Sequence, residues 1–311
     1  MSAAPDWVPA NILERTDIYP DRDSWLAARN DGAMPVGGTT AAALLGVGWQ
    51  SRWDLWATLH QPGYASPPKD EASLANGNYW EGPLTEWARV NVGEVWAPTC
   101  ITTAPAIDWA RASLDGFVLY QGECCGLEIK TARYSDEWGR DGAVMATTED
   151  PLAVPIGYAV QVWWYMWVTG LPRFVIVVGL GFQDVRRITI EAGSTPADLI
   201  RNVAAARSRY MVRGIAPEVD GSDECLRALL ARTREGVSEA TPEQLATARQ
   251  WAIARAARMD AEKVEKLAKA ETVAAMGDAL TLEVPTDKKP RRMVWLTGST
   301  LYHHKSVLET A

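Results

Sequence analysis

Two acids and a lysine define the first chemical question. They are Asp115, Glu128 and Lys130 in the stretch LDGFVLYQGECCGLEIK, residues 114–130. The stretch reads as a β-hairpin with an Asp at the head of one strand and Glu-x-Lys in the next. Strand alternation puts Leu127, Ile129 and Thr131 on one face and Glu128 with Lys130 on the other. Carboxylates gathered on a buried edge are costly without a ligand, and a divalent cation is the hard ligand that suits them. A solvated hairpin face carrying an ordinary Glu/Lys pair explains the same residues. The hairpin alone leaves both readings open.

Other chemistry-bearing residues lie on flanking helices. Glu81 falls in the first turn of a helix expected over residues 79–92, where an acid also suits the macrodipole. Gln161 and Tyr165 sit four apart on a helix opened by Pro155, so they face the same way. They are either a functional pair or two polar groups satisfying each other. Arg29 is followed by Gly37-Gly38 and a helix start at Thr39 or Thr40. A guanidinium beside a glycine-rich helix N-terminus suits an anion. A surface Arg and a plain turn suit it equally.

The elements that hold these residues follow from periodicity and breakers. Residues 1–24 read as an irregular arm. A short helix follows over residues 25–30, capped by Ser24, then one capped by Thr39 or Thr40, and another over 51–60 with Trp53, Trp56 and Leu59 at core spacing. A β-rich region spans residues 95–131, the apolar helix covers 155–170, and two strands cover 173–182 and 185–192. A helix with Pro196 at its first position carries Arg201, Arg207, Arg209 and Arg213 as a basic patch. Beyond residue 215 the composition changes: a short helix at 222–235, a long Ala-rich helix opened by Thr241-Pro242-Glu243 and running towards Met276, and a β-hairpin. That hairpin's turn holds Lys288, Lys289, Arg291 and Arg292, which would solubilise the turn or touch a DNA backbone.

Composition narrows the class. The chain has 311 residues, 47% hydrophobic and 23% charged, as in an ordinary globular protein. No apolar run is long enough to span a bilayer, and the N-terminus lacks a secretory pattern. Four cysteines, two of them adjacent at 124–125, make neither a disulfide framework nor an iron–sulfur quartet. The expected setting is the cytoplasm, the host's if the gene is carried by a phage. A net charge of −8 argues against a nonspecific nucleic-acid coat but leaves room for a local basic groove.

The order of these pieces resembles the PD-(D/E)XK nucleases, and within them the YqaJ-type viral recombinases and phage lambda exonuclease. The matching stretches are Trp25-x-x-x-Arg29, GGTTAAALLG at 37–46, GNYWE at 77–81, SLDG at 113–116, GLEIKT at 126–131 and YAVQVWWYMWVTG at 158–170. The resemblance covers roughly residues 20–215. It implies an α/β fold, a mixed sheet flanked by helices, with the nuclease core at residues 25–215 and a helical extension at 216–311. It implies catalytic roles for Glu81, Asp115, Glu128 and Lys130. One or two Mg²⁺ or Mn²⁺ ions would be held by Asp115, Glu128, the Ile129 carbonyl and Glu81. DNA would be contacted by Arg29, Thr39, Gln161 and Tyr165. The implied activity is 5′→3′ exonuclease action on the ends of linear duplex, leaving a 3′ strand for an annealing partner in phage recombination. A toroidal trimer follows by analogy alone. A structure-specific endonuclease, a RecB-like nuclease and a catalytically inert DNA-binding protein are the alternatives. The family exonuclease has a Ser where Thr39 stands, and the spacing from Arg29 to Gly37 is longer here.

Overall fold

The structure is a computed structural model. It describes residues 3–31, 34–66, 70–181, 184–231, 239–276, 281–284, 291–297 and 300–303, the last three stretches as backbone, apart from Thr281, whose side chain is half-buried. The chain divides into two compact units, Met1–Thr233 and Arg234–Ala311.

The first unit begins with α1 (Ala10–Leu13), β1 (Thr16–Ile18), α2 (Arg22–Asn30), α3 (Gly38–Leu45), α4 (Arg52–His60) and α5 (Glu71–Asn91). Then come β2 (Glu94–Trp96), β3 (Cys100–Ala104), β4 (Ile107–Ala112), β5 (Gly116–Tyr120), β6 (Glu123–Ala132) and β7 (Val144–Met145). Helix α6 (Ile156–Thr169), β8 (Arg173–Leu180), β9 (Asp184–Glu191), α7 (Leu199–Ala206) and α8 (Asp223–Leu230) complete it. A six-stranded sheet runs β2-β5-β6-β8-β9-β7. Its β5–β6 pair is antiparallel, while β6 and β8 are parallel. The crossover between those parallel strands is α6, as a parallel connection requires. A second sheet orders β1-β3-β4. This is the expected α/β architecture, a mixed sheet flanked by helices.

Each face of the main sheet has its own helix. Leu84 and Ala88 of α5 pack on Val118, Cys125, Leu127, Ile129, Val175 and Val177. The opposite face buries Phe117, Phe174, Ile176 and Val178 against α3 and α6. Helix α6 is apolar nearly all round because it lies between the sheet and α3, with Trp164 fully buried. The Trp164 indole donates to the Arg111 carbonyl at 3.0 Å, so its one polar atom is satisfied.

Several element ends differ from the sequence expectation. Helix α2 is capped by Asp21, whose carboxylate accepts from the Ser24 amide; Ser24 lies inside the helix. Helix α3 is preceded by Gly37 as N-cap, and neither Thr39 nor Thr40 caps it. Helix α5 starts two turns before residue 79, capped by Asp70, and contains Pro83. Gly77 and Asn78 read locally as breakers, but packing against β6 and β8 holds the helix through them. In α4, Trp53 and Trp56 are buried but Leu59 is exposed. Residues before 25 carry α1 and β1, with Val8 and Ile12 buried. Arg15 donates to the Val168 and Thr169 carbonyls at 3.0 Å each, satisfying orphan groups at the C-terminus of α6. Helix α8 lies beyond the boundary read at residue 215 and buries Cys225 and Ala228 against Trp53, Trp56 and Ala57. Among the described residues, no helix is long and apolar enough to cross a membrane.

The second unit contains α9 (Pro242–Met276), β10 (Thr281–Val284), β11 (Arg291–Thr297) and β12 (Thr300–His303), the strands forming one antiparallel sheet. Helix α9 starts at a reciprocal cap: the Gln244 amide donates to Thr241 Oγ1 at 3.2 Å, and the Thr241 amide donates to Gln244 Oε1 at 2.9 Å. Lys288 and Lys289 of the expected basic turn lie outside the described residues. Arg291 and Arg292 begin β11, in register with Val284 and Glu283.

Candidate active site

Alternation along β6 carries Glu128 to the α6 face of the sheet, opposite the apolar Leu127 and Ile129. Glu128 is only 2% exposed. Its Oε1 accepts from Gln161 Nε2 at 2.6 Å and also from Lys130 Nζ. Its Oε2 is buried with no hydrogen-bond partner. Such an oxygen costs free energy where it stands. Asp115 sits just before β5, and its Oδ2 accepts from the Ile129 amide at 2.7 Å. This bond ties the Asp to the centre of Glu128-Ile129-Lys130, through the Ile129 N–H rather than its carbonyl.

Charge follows from this packing. Burial pushes the Glu128 carboxyl up to about 8, and the neighbouring Asp115 adds to the rise against the pull of Lys130. Burial likewise raises Asp115, opposed by Lys130, the Ile129 amide and Arg29. Burial alone would lower the Lys130 ammonium, but Glu128 and Asp115 outweigh it and the net shift is upward. Glu81 belongs to the third turn of α5, so a first-turn macrodipole role does not describe it. Its side chain meets solvent, yet the surrounding groove desolvates the carboxyl and raises it, with Asp115 adding to the rise and Arg22 and Lys130 opposing.

Three oxygen acids around one ammonium suit a hard divalent cation, and the orphaned Glu128 Oε2 is the donor such an ion would engage. Among the described residues, no three Asp, Glu, His or Cys side chains converge as a ready cage. Mg²⁺ does not need one, since it keeps several waters and takes one or two carboxylates. Asp115 and Glu128 fit that pattern, with Glu81 across the groove.

Two grooves open beside these residues. One, of about 590 Å³, is lined by Arg22, Trp25, Glu81, Arg89, Ser113 and Asp115, among others. The second, of about 380 Å³, is lined by Arg29, Gly37, Thr40, Gln50, Arg111, Ser113 and Tyr165, among others. Thr40, rather than Thr39, faces this second groove. Helix α2 spans both, with Arg22 and Arg29 flanking the Trp25 ring at 5.9 and 5.0 Å. Local sequence hides Arg22 because Ser24 reads as the cap; with Asp21 as cap, Arg22, Trp25 and Arg29 form one stripe.

Gln161 and Tyr165 prove to be both partners and neighbours of the acids: Gln161 Nε2 contacts the Tyr165 hydroxyl at 3.1 Å while donating to Glu128. The start of α3 presses on them. A Cβ on Gly38 would fall 2.5 Å from Gln161 Cγ and 2.7 Å from Tyr165 Cε1. Gly38→Ala is therefore expected to displace the pair, lowering stability by roughly 1–3 kcal/mol and activity with it. Urea denaturation and initial rates on the same preparation measure both. Tyr158, three residues before Gln161 and on its side of α6, was also missed. The Lys130 ammonium lies 5.2 Å from its ring centroid.

Residues 24–172 match the family profile described as the YqaJ-like viral recombinase domain. This stretch, just under half of the chain, is similar to that family's domain. The matched residues include Glu81, Asp115, Glu128, Lys130, Gln161 and Tyr165, and leave Arg22 just outside. No curated protein matches the sequence. Among solved structures, the alkaline exonuclease LHK-Exo from Laribacter hongkongensis matches at 17% identity and a TM-score of 0.45, over 62% of this chain and 94% of that one. A phage-related exonuclease from Haemophilus somnus 129PT matches at 12% identity and a TM-score of 0.43, over 60% of this chain and 96% of that one.

Proposed function

We propose that the protein is a divalent-metal-dependent DNA exonuclease that hydrolyses linear duplex from its ends, 5′→3′, and leaves a 3′ single strand for an annealing partner in recombination. The observation that carries this reading is the buried Glu128, bridged by Lys130 and Gln161 with one oxygen unpartnered, beside Asp115 just ahead of the neighbouring strand. It lies inside the stretch similar to the YqaJ-like domain.

Asp115 and Glu128 would hold Mg²⁺, or Mn²⁺, with the Ile129 carbonyl, and Glu81 would complete the shell or help hold a second ion. When bound, the ion polarises the scissile phosphate and offsets charge on the leaving oxygen. Lys130, fixed between Glu128 and the Tyr158 ring, orients the attacking water and stabilises charge on the phosphate. Gln161 holds Glu128 in its rotamer, and Tyr165 backs Gln161. Arg29 and the N-terminus of α3 at Gly37 form the groove that suits a terminal 5′-phosphate, with Thr40 and Arg111 on its wall. A phosphate held there makes the enzyme start at an end.

Linear duplex and closed circular DNA, each with Mg²⁺ or EDTA, test the reading. Linear duplex is expected to be degraded only with Mg²⁺, faster with 5′-phosphate than with 5′-hydroxyl ends, while circles survive. Nicked circles would point to an endonuclease, and no cleavage with any divalent metal to an inert DNA-binding protein.

A further inference from the structure

The aromatic residues beside Lys130 lead from the acids to the surface. Tyr158, whose ring lies under the Lys130 ammonium, also meets Trp138 at 5.5 Å and Trp49 at 6.1 Å between ring centroids. Trp138 is buried and Tyr158 half-buried, but Trp49 is 79% exposed. An indole so open forfeits the burial that usually holds tryptophan inside.

The loop carrying it is nevertheless firmly seated. A Cβ on Gly48 would fall 2.8 Å from the Ala43 amide nitrogen, and one on Gly157 would fall 2.7 Å from the Val47 carbonyl oxygen. Two glycines thus let residues 47–48 press onto the end of α3 and the first turn of α6. Gln50, the next residue, lines the groove that holds Arg29. Trp49 therefore stands on a seated loop, next in the chain to the groove-lining Gln50 and one ring beyond the contact of Lys130.

We propose that Trp49, backed by Tyr158, is a stacking site for an unpaired nucleobase of the strand whose backbone lies along Glu128 and Lys130. The proposal rests on the nuclease reading for the identity of that strand. Duplex bases already cover both their faces, so an isolated indole selects a base that has left the stack. Stacking also supplies affinity without positive charge, which suits a chain of net charge −8. The site would capture a terminal base after it unpairs and hold its phosphate near Lys130.

The test uses the full chain with Ca²⁺ in place of Mg²⁺ and a 5′-phosphorylated single-stranded oligonucleotide. 2-Aminopurine, or an abasic residue, is placed in turn at each of the first four positions. The wild type is expected to quench one of these positions, and the abasic residue there to weaken binding. Trp49→Ala is expected to lose that quenching, to weaken binding roughly 5- to 100-fold, and to become indifferent to the abasic residue. Trp49→Tyr restores most of the affinity. Equal affinity of Trp49→Ala and wild type, or abasic indifference of the wild type at every position, overturns the proposal. Absence of any oligonucleotide binding by the wild type also overturns it. Hydrolysis with Mg²⁺ is scored separately: quenching without hydrolysis sinks the nuclease reading and keeps the stacking site, and hydrolysis with an unaffected Trp49→Ala does the reverse.

Discussion

Asp115→Asn is expected to abolish DNA hydrolysis and to make the metal-free protein more stable. The Asn side-chain oxygen can still accept the Ile129 N–H, so the β5–β6 junction keeps its tie. What disappears is a desolvated carboxylate that also raises the proton affinity of Glu81 and Glu128. A carboxyl held above its unfolded value costs stability once the unfolded chain ionises, so the gain from Asn is absent near pH 3 and appears as pH rises. Asp115 is only half-buried, which limits that gain to roughly 1 kcal/mol, or about 2–4 °C for a unit of this size. Hydrolysis should fall at least ~100-fold. Thermal melts with and without Mg²⁺ decide the cause. Mg²⁺ should raise the wild-type midpoint and leave the variant unmoved, because only a ligand-bearing native state is stabilised by mass action. A variant that melts lower and still responds to Mg²⁺ would remove Asp115 from the ligand set.

Lys130→Ala has the opposite effect on stability and the same effect on activity. Removing the ammonium leaves Glu128 almost fully buried with Gln161 as its remaining side-chain donor. Losing one member of a buried pair costs about 3 kcal/mol. The pH dependence distinguishes this from a general loss of packing. Glu128 already holds its proton to about 8, well above an unfolded carboxyl. Below the unfolded value both states are neutral and the lost partner matters least. As pH rises the unfolded chain ionises first, the native state must follow without its ammonium, and the deficit grows. Urea denaturation should therefore separate variant and wild type more at pH 9 than at pH 5. At neutral pH kcat should fall about 10²–10³-fold with KM for linear duplex little changed, since the Arg29 groove is untouched. A variant that hydrolyses normally would remove Lys130 from the chemistry.

Much of the site is legible in the sequence because short periodicities determine it. A period of two separates Glu128 and Lys130 from Leu127 and Ile129, and a spacing of four aligns Gln161 with Tyr165. Both relations are local, and the structure keeps both. The apolar run of α6 and the Thr-Pro-Glu opening of α9 were equally readable, since each signal lies within a turn or two of chain.

Tertiary structure alone decided the rest. Helix α5 runs through Gly77 and Asn78 because its Leu84 and Ala88 find a waiting sheet, which places Glu81 mid-helix facing Asp115's groove rather than in a first turn. Arg15 belongs to the core because α6 ends where its guanidinium can reach, 153 residues along the chain. Gly38 must lack a side chain because Gln161 and Tyr165 come against it, and Tyr158 matters because Lys130 crosses its ring. The sequence by itself determined which residue types could do metal-assisted chemistry and which face of each element would carry them. Only the folded chain decided that Glu128 keeps one oxygen unpartnered. That depends on which long-range neighbours crowd it, and no local spacing encodes them.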